Sequence, residues 1–136
     1  MWVIDSSIFM ALVLPDEKNA LADRFFDSLG RRDRLWVPSL WWYEVANVLT
    51  IAQRRNRISE AEAMHVLERI DGLPLDTDGS IGTESAERQW RIARQHGLSA
   101  YDAAYLELAE RRSAGLASLD EKLRDAARRA GLSVAA

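Results

Sequence analysis

Hydrophobic positions along this chain alternate between short apolar runs and longer stretches with a helical period. Trp2-Val3-Ile4 reads as a short buried strand, and Ser6 or Ser7 can cap a helix running to about Leu14. Pro15-Asp16-Glu17 breaks it. Between Asn19 and Leu29 the apolar residues Leu21, Ala22, Phe25, Phe26 and Leu29 share one side of a helix, and Gly30 suits the position after its end. Leu35-Trp36-Val37 predicts a second strand closed by Pro38, followed by a strongly apolar helix from Ser39 to about Arg55. Ser59 and Glu62 are spaced as a capping box for the next helix, which ends near Gly72.

The second half repeats the alternation. Leu73-Pro74-Leu75 predicts a weak third strand whose proline suits an edge or a strand start. A Gly/Ser/Asp loop leads to a helix from about Thr83 to His96, stopped by Gly97, and Ser99 caps another reaching about Arg112. Leu116-Ala117-Ser118-Leu119 predicts a fourth strand and residues 121–130 the last long helix, with Leu132-Ser133-Val134 as a short final strand. Short apolar strands alternating with helices specify an α/β fold, with a mostly parallel sheet of four to five strands flanked by helices on both faces. A length of 136 residues suits one domain with one core, spanning 1–136.

Composition narrows the chemistry. No cysteine is present, which excludes disulfides, thiolate zinc sites and a Cys nucleophile. His65 and His96, the only imidazoles, fall on different predicted helices, and both are expected at the surface. Zinc and a Ser-His-Asp triad are therefore not expected. The chain begins directly with a strand and contains no long apolar span, so a cytoplasmic location is expected. A net charge of −3 argues against a generally basic nucleic-acid binder. Its cations are nonetheless almost all arginine, Lys18 and Lys122 being the exceptions. Groups such as Arg31-Arg32-Asp33-Arg34, Arg54-Arg55-Asn56-Arg57 and Arg128-Arg129 suit phosphate oxygens as well as helix ends.

Four acids stand out because each lies in or beside an apolar stretch: Asp5, Glu44, Asp102 and Asp120. Each is expected where a strand gives way to a helix. Taken singly, Asp5 and Asp120 suit N-caps, Asp102 can close a capping box with Ser99, and Glu44 favours the positive end of its helix. Taken together they are more telling. In an open parallel sheet ligands bind at the carboxyl ends of the strands, and carboxylates gathered there repel one another unless a cation bridges them. An oxygen-only cluster suits Mg²⁺ or Mn²⁺ and the hydrolysis of phosphate esters.

The same residues resemble the PIN-domain ribonucleases, in particular the VapC-type toxins of bacterial toxin–antitoxin pairs. The likeness runs through Val3-Ile4-Asp5-Ser6-Ser7, Val37-Pro38-Ser39, Tyr43-Glu44-Val45-Ala46-Asn47, the stretch from Gly97 to Ala109 around Asp102, and Leu116 to Leu123. It implies a PIN-like three-layer sandwich and an endoribonuclease dependent on Mg²⁺ or Mn²⁺. It also implies Asp5, Glu44, Asp102 and Asp120 as metal-binding and catalytic acids, with Ser6, Asn47 and Ser118 steadying ligands or water. Ser118 stands where the family more usually has Thr. RNA as substrate, a homodimer and a cognate antitoxin follow from the same resemblance.

Two other readings are weighed against it. A PIN scaffold that binds RNA or protein without cutting would be marked by loss of an acid, and all four are present. A receiver-like signalling domain would use Asp76 or Asp78 as phospho-acceptor and Lys122 as its late lysine. Among the tryptophans, Trp2 and Trp36 are expected in the core. Trp41 and Trp42 are adjacent on one helix, so one of them is expected to face outward, where it would suit an interface.

Overall fold

The computed structural model describes residues 1–135. In chain order the elements are β1 (Trp2–Ile4), α1 (Ser6–Val13), α2 (Ala20–Asp27), β2 (Leu35–Pro38), α3 (Leu40–Arg54), α4 (Glu60–Asp71), β3 (Leu75–Asp78), α5 (Thr83–His96), α6 (Ala100–Arg112), β4 (Gly115–Ala117) and α7 (Glu121–Arg129). The four strands form one parallel sheet in the order β3-β2-β1-β4. Successive strands therefore step one way from β1 to β3, and β4 returns to the other side of β1. The order reverses between β1 and β4, which is where an open α/β sheet offers a ligand crevice at its carboxyl end.

The sheet is buried from both faces, as parallel pairing requires. Val3, Ile4, Leu35, Val37, Leu116 and Ala117 are all fully enclosed. The middle of α6 lies in the same core, with residues 103–109 buried without interruption. That continuity explains why α6 has an apolar run rather than a clean stripe.

Several boundaries differ from the sequence expectation, each for a local reason. β3 begins at Leu75, two residues late: Pro74 has no N–H for the ladder, although its carbonyl accepts from Leu35 N at 3.0 Å. The strand then continues through Asp76 and Asp78, which look like loop residues until their partners are seen. Arg34 binds Asp76 at 2.6 Å and Arg111 binds Asp78 at 2.9 Å. β4 starts at Gly115 and ends at Ala117, so Ser118 and Leu119 belong to the turn before α7. The proposed final strand is a single parallel bridge between Leu116 and Val134.

The tryptophans divide partly as expected. Trp41 is fully buried and Trp42 is exposed, their rings meeting edge to face at 5.0 Å. Trp2 and Trp36 are half-buried rather than core: Trp2 packs edge-on against Phe25, and the Arg112 guanidinium lies 3.5 Å over the Trp36 ring. His65 is exposed, whereas His96, expected at the surface, is half-buried. The receiver reading fails on the sheet, which lacks the flavodoxin-like order 2-1-3-4-5. Asp76 and Asp78 are engaged in ion pairs besides.

Candidate active site

Two turns meet at the reversal point of the sheet. Asp5 leaves β1 and caps α1, its Oδ1 accepting from Ile8 N at 3.2 Å and from the Ser7 hydroxyl at 2.6 Å. Its Oδ2 accepts from the Ser118 hydroxyl, which comes from the turn after β4. Ser7 in turn accepts from Leu119 N at 3.0 Å, so the two turns are bound together by two serines. Ser118 is wholly buried, and its oxygen also accepts from Asp120 N at 3.0 Å. Arg124 of α7 donates to the Ser118 carbonyl at 3.1 Å.

Glu44 lies near the start of α3 and reaches two other elements. Its Oε2 accepts from the Ser6 hydroxyl and its Oε1 from the Tyr105 hydroxyl, each at 2.7 Å. Asp120 caps α7 through Leu123 N at 2.9 Å. Asp102 sits in the first turn of α6, where its backbone N–H donates to the Ser99 cap at 3.1 Å. Ser99 also lowers the Asp102 carboxyl through a side-chain hydrogen bond, so its own helix end takes part in holding it. Of the four acids, Asp5 and Asp120 stand where strand passes to helix. Asp102 instead follows a helix–helix junction, and Glu44 lies a turn inside α3.

Electrostatics ties the acids to one place. Burial pushes the Asp5 carboxyl up from its ordinary value, and hydrogen bonds from Ser118, Ser7 and Ile8 N oppose that, while Glu44 adds to it. Asp102 is raised first by burial and then by the charges of Asp120 and Glu44. The Tyr105 phenol is pushed far up by burial and by its bond to Glu44, so it stays a neutral donor. Each carboxylate is turned to its own hydrogen bonds. Among the described residues no three acidic or histidine side chains stand grouped as a ready metal cage. The structure brings the four acids to one end of the sheet and into one field. It does not close them around a single point.

The donor set itself fits a hard divalent cation. Every candidate ligand is a carboxylate oxygen, and at the two raised carboxyls burial and neighbouring acids outweigh the hydrogen bonds and, at Asp102, the charge of Lys122. Of the polar residues expected to assist, Ser6 bonds to Glu44 and Ser118 to Asp5. Asn47, one turn along from Glu44, is exposed and makes no side-chain hydrogen bond among the described residues. Ser7 and Tyr105 were not foreseen. Tyr105 lies three residues after Asp102, and that spacing on one helical face was the available signal. A groove of about 380 Å³ between the start of α3 and helices α5 and α6, lined by Leu40, Ile81, Tyr101 and Glu107, contains none of the four acids.

The chain and its fold have counterparts among known proteins. The PIN-domain family matches residues 2–129. Ribonuclease VapC3 of Pyrobaculum aerophilum is 33% identical over 121 residues, 89% of this chain and 90% of its own. Among solved structures, PAE2754 from Pyrobaculum aerophilum superposes with a TM-score of 0.70 at 24% identity, covering 98% of this chain and 83% of its own. A toxin–antitoxin complex from Klebsiella pneumoniae gives 0.62 at 15% identity, covering 88% and 87%. At those identities the two structures speak for the fold. The extent of the family match and the identity to the ribonuclease place the chain in the PIN-domain family, alongside the VapC proteins.

Proposed function

We propose that this chain is the endoribonuclease toxin of a toxin–antitoxin pair, hydrolysing RNA phosphodiester bonds with Mg²⁺ or Mn²⁺. The observation that carries the reading is the meeting of the β1–α1 and β4–α7 turns around a buried Asp5, within reach of the charge of Glu44. Asp5 and Asp102 are assigned as direct metal ligands, and Glu44 and Asp120 complete the set, as ligands or by orienting water. A bound divalent cation supplies Lewis-acid polarisation of the phosphate and lowers the pKa of water at the site.

The chain's own residues prepare that chemistry. Ser118, Ser7 and the Ile8 amide stabilise Asp5 as an anion, which burial alone would oppose. Ser6 and Tyr105 hold Glu44, and the α7 cap orients Asp120. In-line attack by water leaves a 5′-phosphate and a 3′-hydroxyl. RNA as the substrate is supported by the relative named a ribonuclease, and an antitoxin partner by the toxin–antitoxin complex of the same fold. A homodimer is proposed with them, supported by the large apolar side chains left exposed at Trp42, Tyr43, Ile81 and Tyr101.

Cleavage of a labelled pool of structured RNA tests this reading, with Mg²⁺, Mn²⁺ or EDTA and with wild type beside D5N and D102N. Metal-dependent cutting with 5′-phosphate ends, lost in both variants, is expected. Cutting that survives EDTA or the D5N change would refute the assignment.

A further inference from the structure

We propose that Tyr105 is a positioning residue for Glu44: its hydroxyl and that of Ser6 clamp the two oxygens of one carboxylate and fix the direction in which it faces the metal site. The inference rests on the ribonuclease reading above and names the device that orders one of its acids.

The geometry leaves the Tyr105 hydroxyl one purpose. Its ring is 2% exposed in the core between α6 and the sheet, yet the hydroxyl emerges toward α3 and donates to Glu44 Oε1 at 2.7 Å. A buried phenol with no acceptor would be costly, so the ring's packing and the carboxylate's position are mutually fixed. Ser6 closes the other side, donating to Oε2 at 2.7 Å from the first residue of α1. The carboxylate is thereby tied to three elements: α3, which carries it, α1 and α6. A Glu side chain has three free torsions, and fixing both oxygens removes them before any ligand arrives.

The clamp does not exhaust the carboxylate. Two oxygens offer about four lone-pair directions and the two hydroxyls occupy two, leaving one on each oxygen for a metal or a water. The spacing on α6 adds a second consequence. Asp102 and Tyr105 stand three residues apart on one helical face, so the same turn of helix that presents Asp102 also orients Glu44. A small displacement of α6 would move both acids together.

The test measures Mn²⁺ affinity by electron paramagnetic resonance of the free ion, with no RNA present, in wild type, Y105F, S6A, E44Q and Y105F/E44Q. Y105F removes one oxygen and keeps the ring, so its thermal unfolding in EDTA is expected within a few degrees of wild type. Its Mn²⁺ affinity is expected to fall about tenfold, as does that of S6A, in line with outer partners of metal ligands. Y105F/E44Q is expected to bind no more weakly than E44Q alone, because the clamp acts only through Glu44. Y105F binding as tightly as wild type would overturn the role of Tyr105, and so would losses that multiply in the double variant. Wild type that binds no Mn²⁺ would overturn the metal-site reading itself, and this inference with it.

Discussion

Replacing Ser118 by alanine tests whether the two turns are joined as described. The hydroxyl does two things in a fully buried position: it donates to Asp5 Oδ2 and accepts from Asp120 N at 3.0 Å. A hydrogen bond to a charged acceptor is worth roughly 1.5–3 kcal/mol, and stranding the partly buried amide of Asp120 costs about 1 kcal/mol, at the low end because water can approach it. The two together give about 2.5–4 kcal/mol. For a chain of this length that corresponds to unfolding roughly 8–15 °C earlier. The assay is thermal or urea unfolding at pH 7 in EDTA, with S118A compared in the wild-type and D5N backgrounds. The cost should shrink in D5N, where the acceptor no longer carries a charge. An S118A protein unfolding within about 2 °C of wild type would refute the claim that this hydroxyl holds Asp5. Equal losses in both backgrounds would refute the charge-assisted part.

Three further outcomes are expected, one at Asp5 and two elsewhere in the fold. Because burial raises the Asp5 carboxyl, its contribution to stability is full below the unfolded value and is lost as pH rises through the folded one. D5N should therefore unfold at a higher temperature than wild type at pH 7 in EDTA and gain nothing from added Mg²⁺; a lower temperature would contradict the sign. Arg111 holds Asp78 down to about 2 from an ordinary 3.8, worth on the order of 2 kcal/mol at neutral pH and nearer 1 kcal/mol once solvent screening at the part-exposed guanidinium is allowed for. That stability is present above the unfolded pKa and lost as pH falls from about 4 toward 2, so wild type and D78N should converge in acid and separate at neutrality. Gly115 lies where a Cβ would stand 2.5 Å from the Trp2 ring, so G115A should cost about 1–3 kcal/mol in urea unfolding, and a Trp2→Leu background should relieve most of it.

The order of elements was legible because the chain changes period at clear punctuation. The capping box at Ser59 and Glu62, the left-handed Gly97 and the N-caps Asn19 and Ser99 all lie where their residue types indicate. β3 was misplaced because its middle is Asp76 and its end Asp78. Nothing local indicates that Arg34 and Arg111, 42 and 33 residues away, neutralise them. Arg124 shows the same limit: nothing in its local sequence indicates that it is buried and supports the Ser118 carbonyl. Among the candidate site residues, carboxylates in apolar surroundings announce themselves by their cost, which is why all four acids stand out in the sequence. Tyr105 and Ser7 carry no such cost in sequence. A tyrosine in an apolar helix looks like core, and only the fold shows that its hydroxyl ends on Glu44.

Four acids distant in sequence are proposed to serve one cation. Mn²⁺ titration of D5N, E44Q, D102N and D120N, beside the controls D76N and E87Q, tests it most directly. One shared site is expected, weakened at least about tenfold by each of the four changes and untouched by the two controls. Affinity indifferent to Asp5 and Asp102, or reduced as much by the controls, would contradict it.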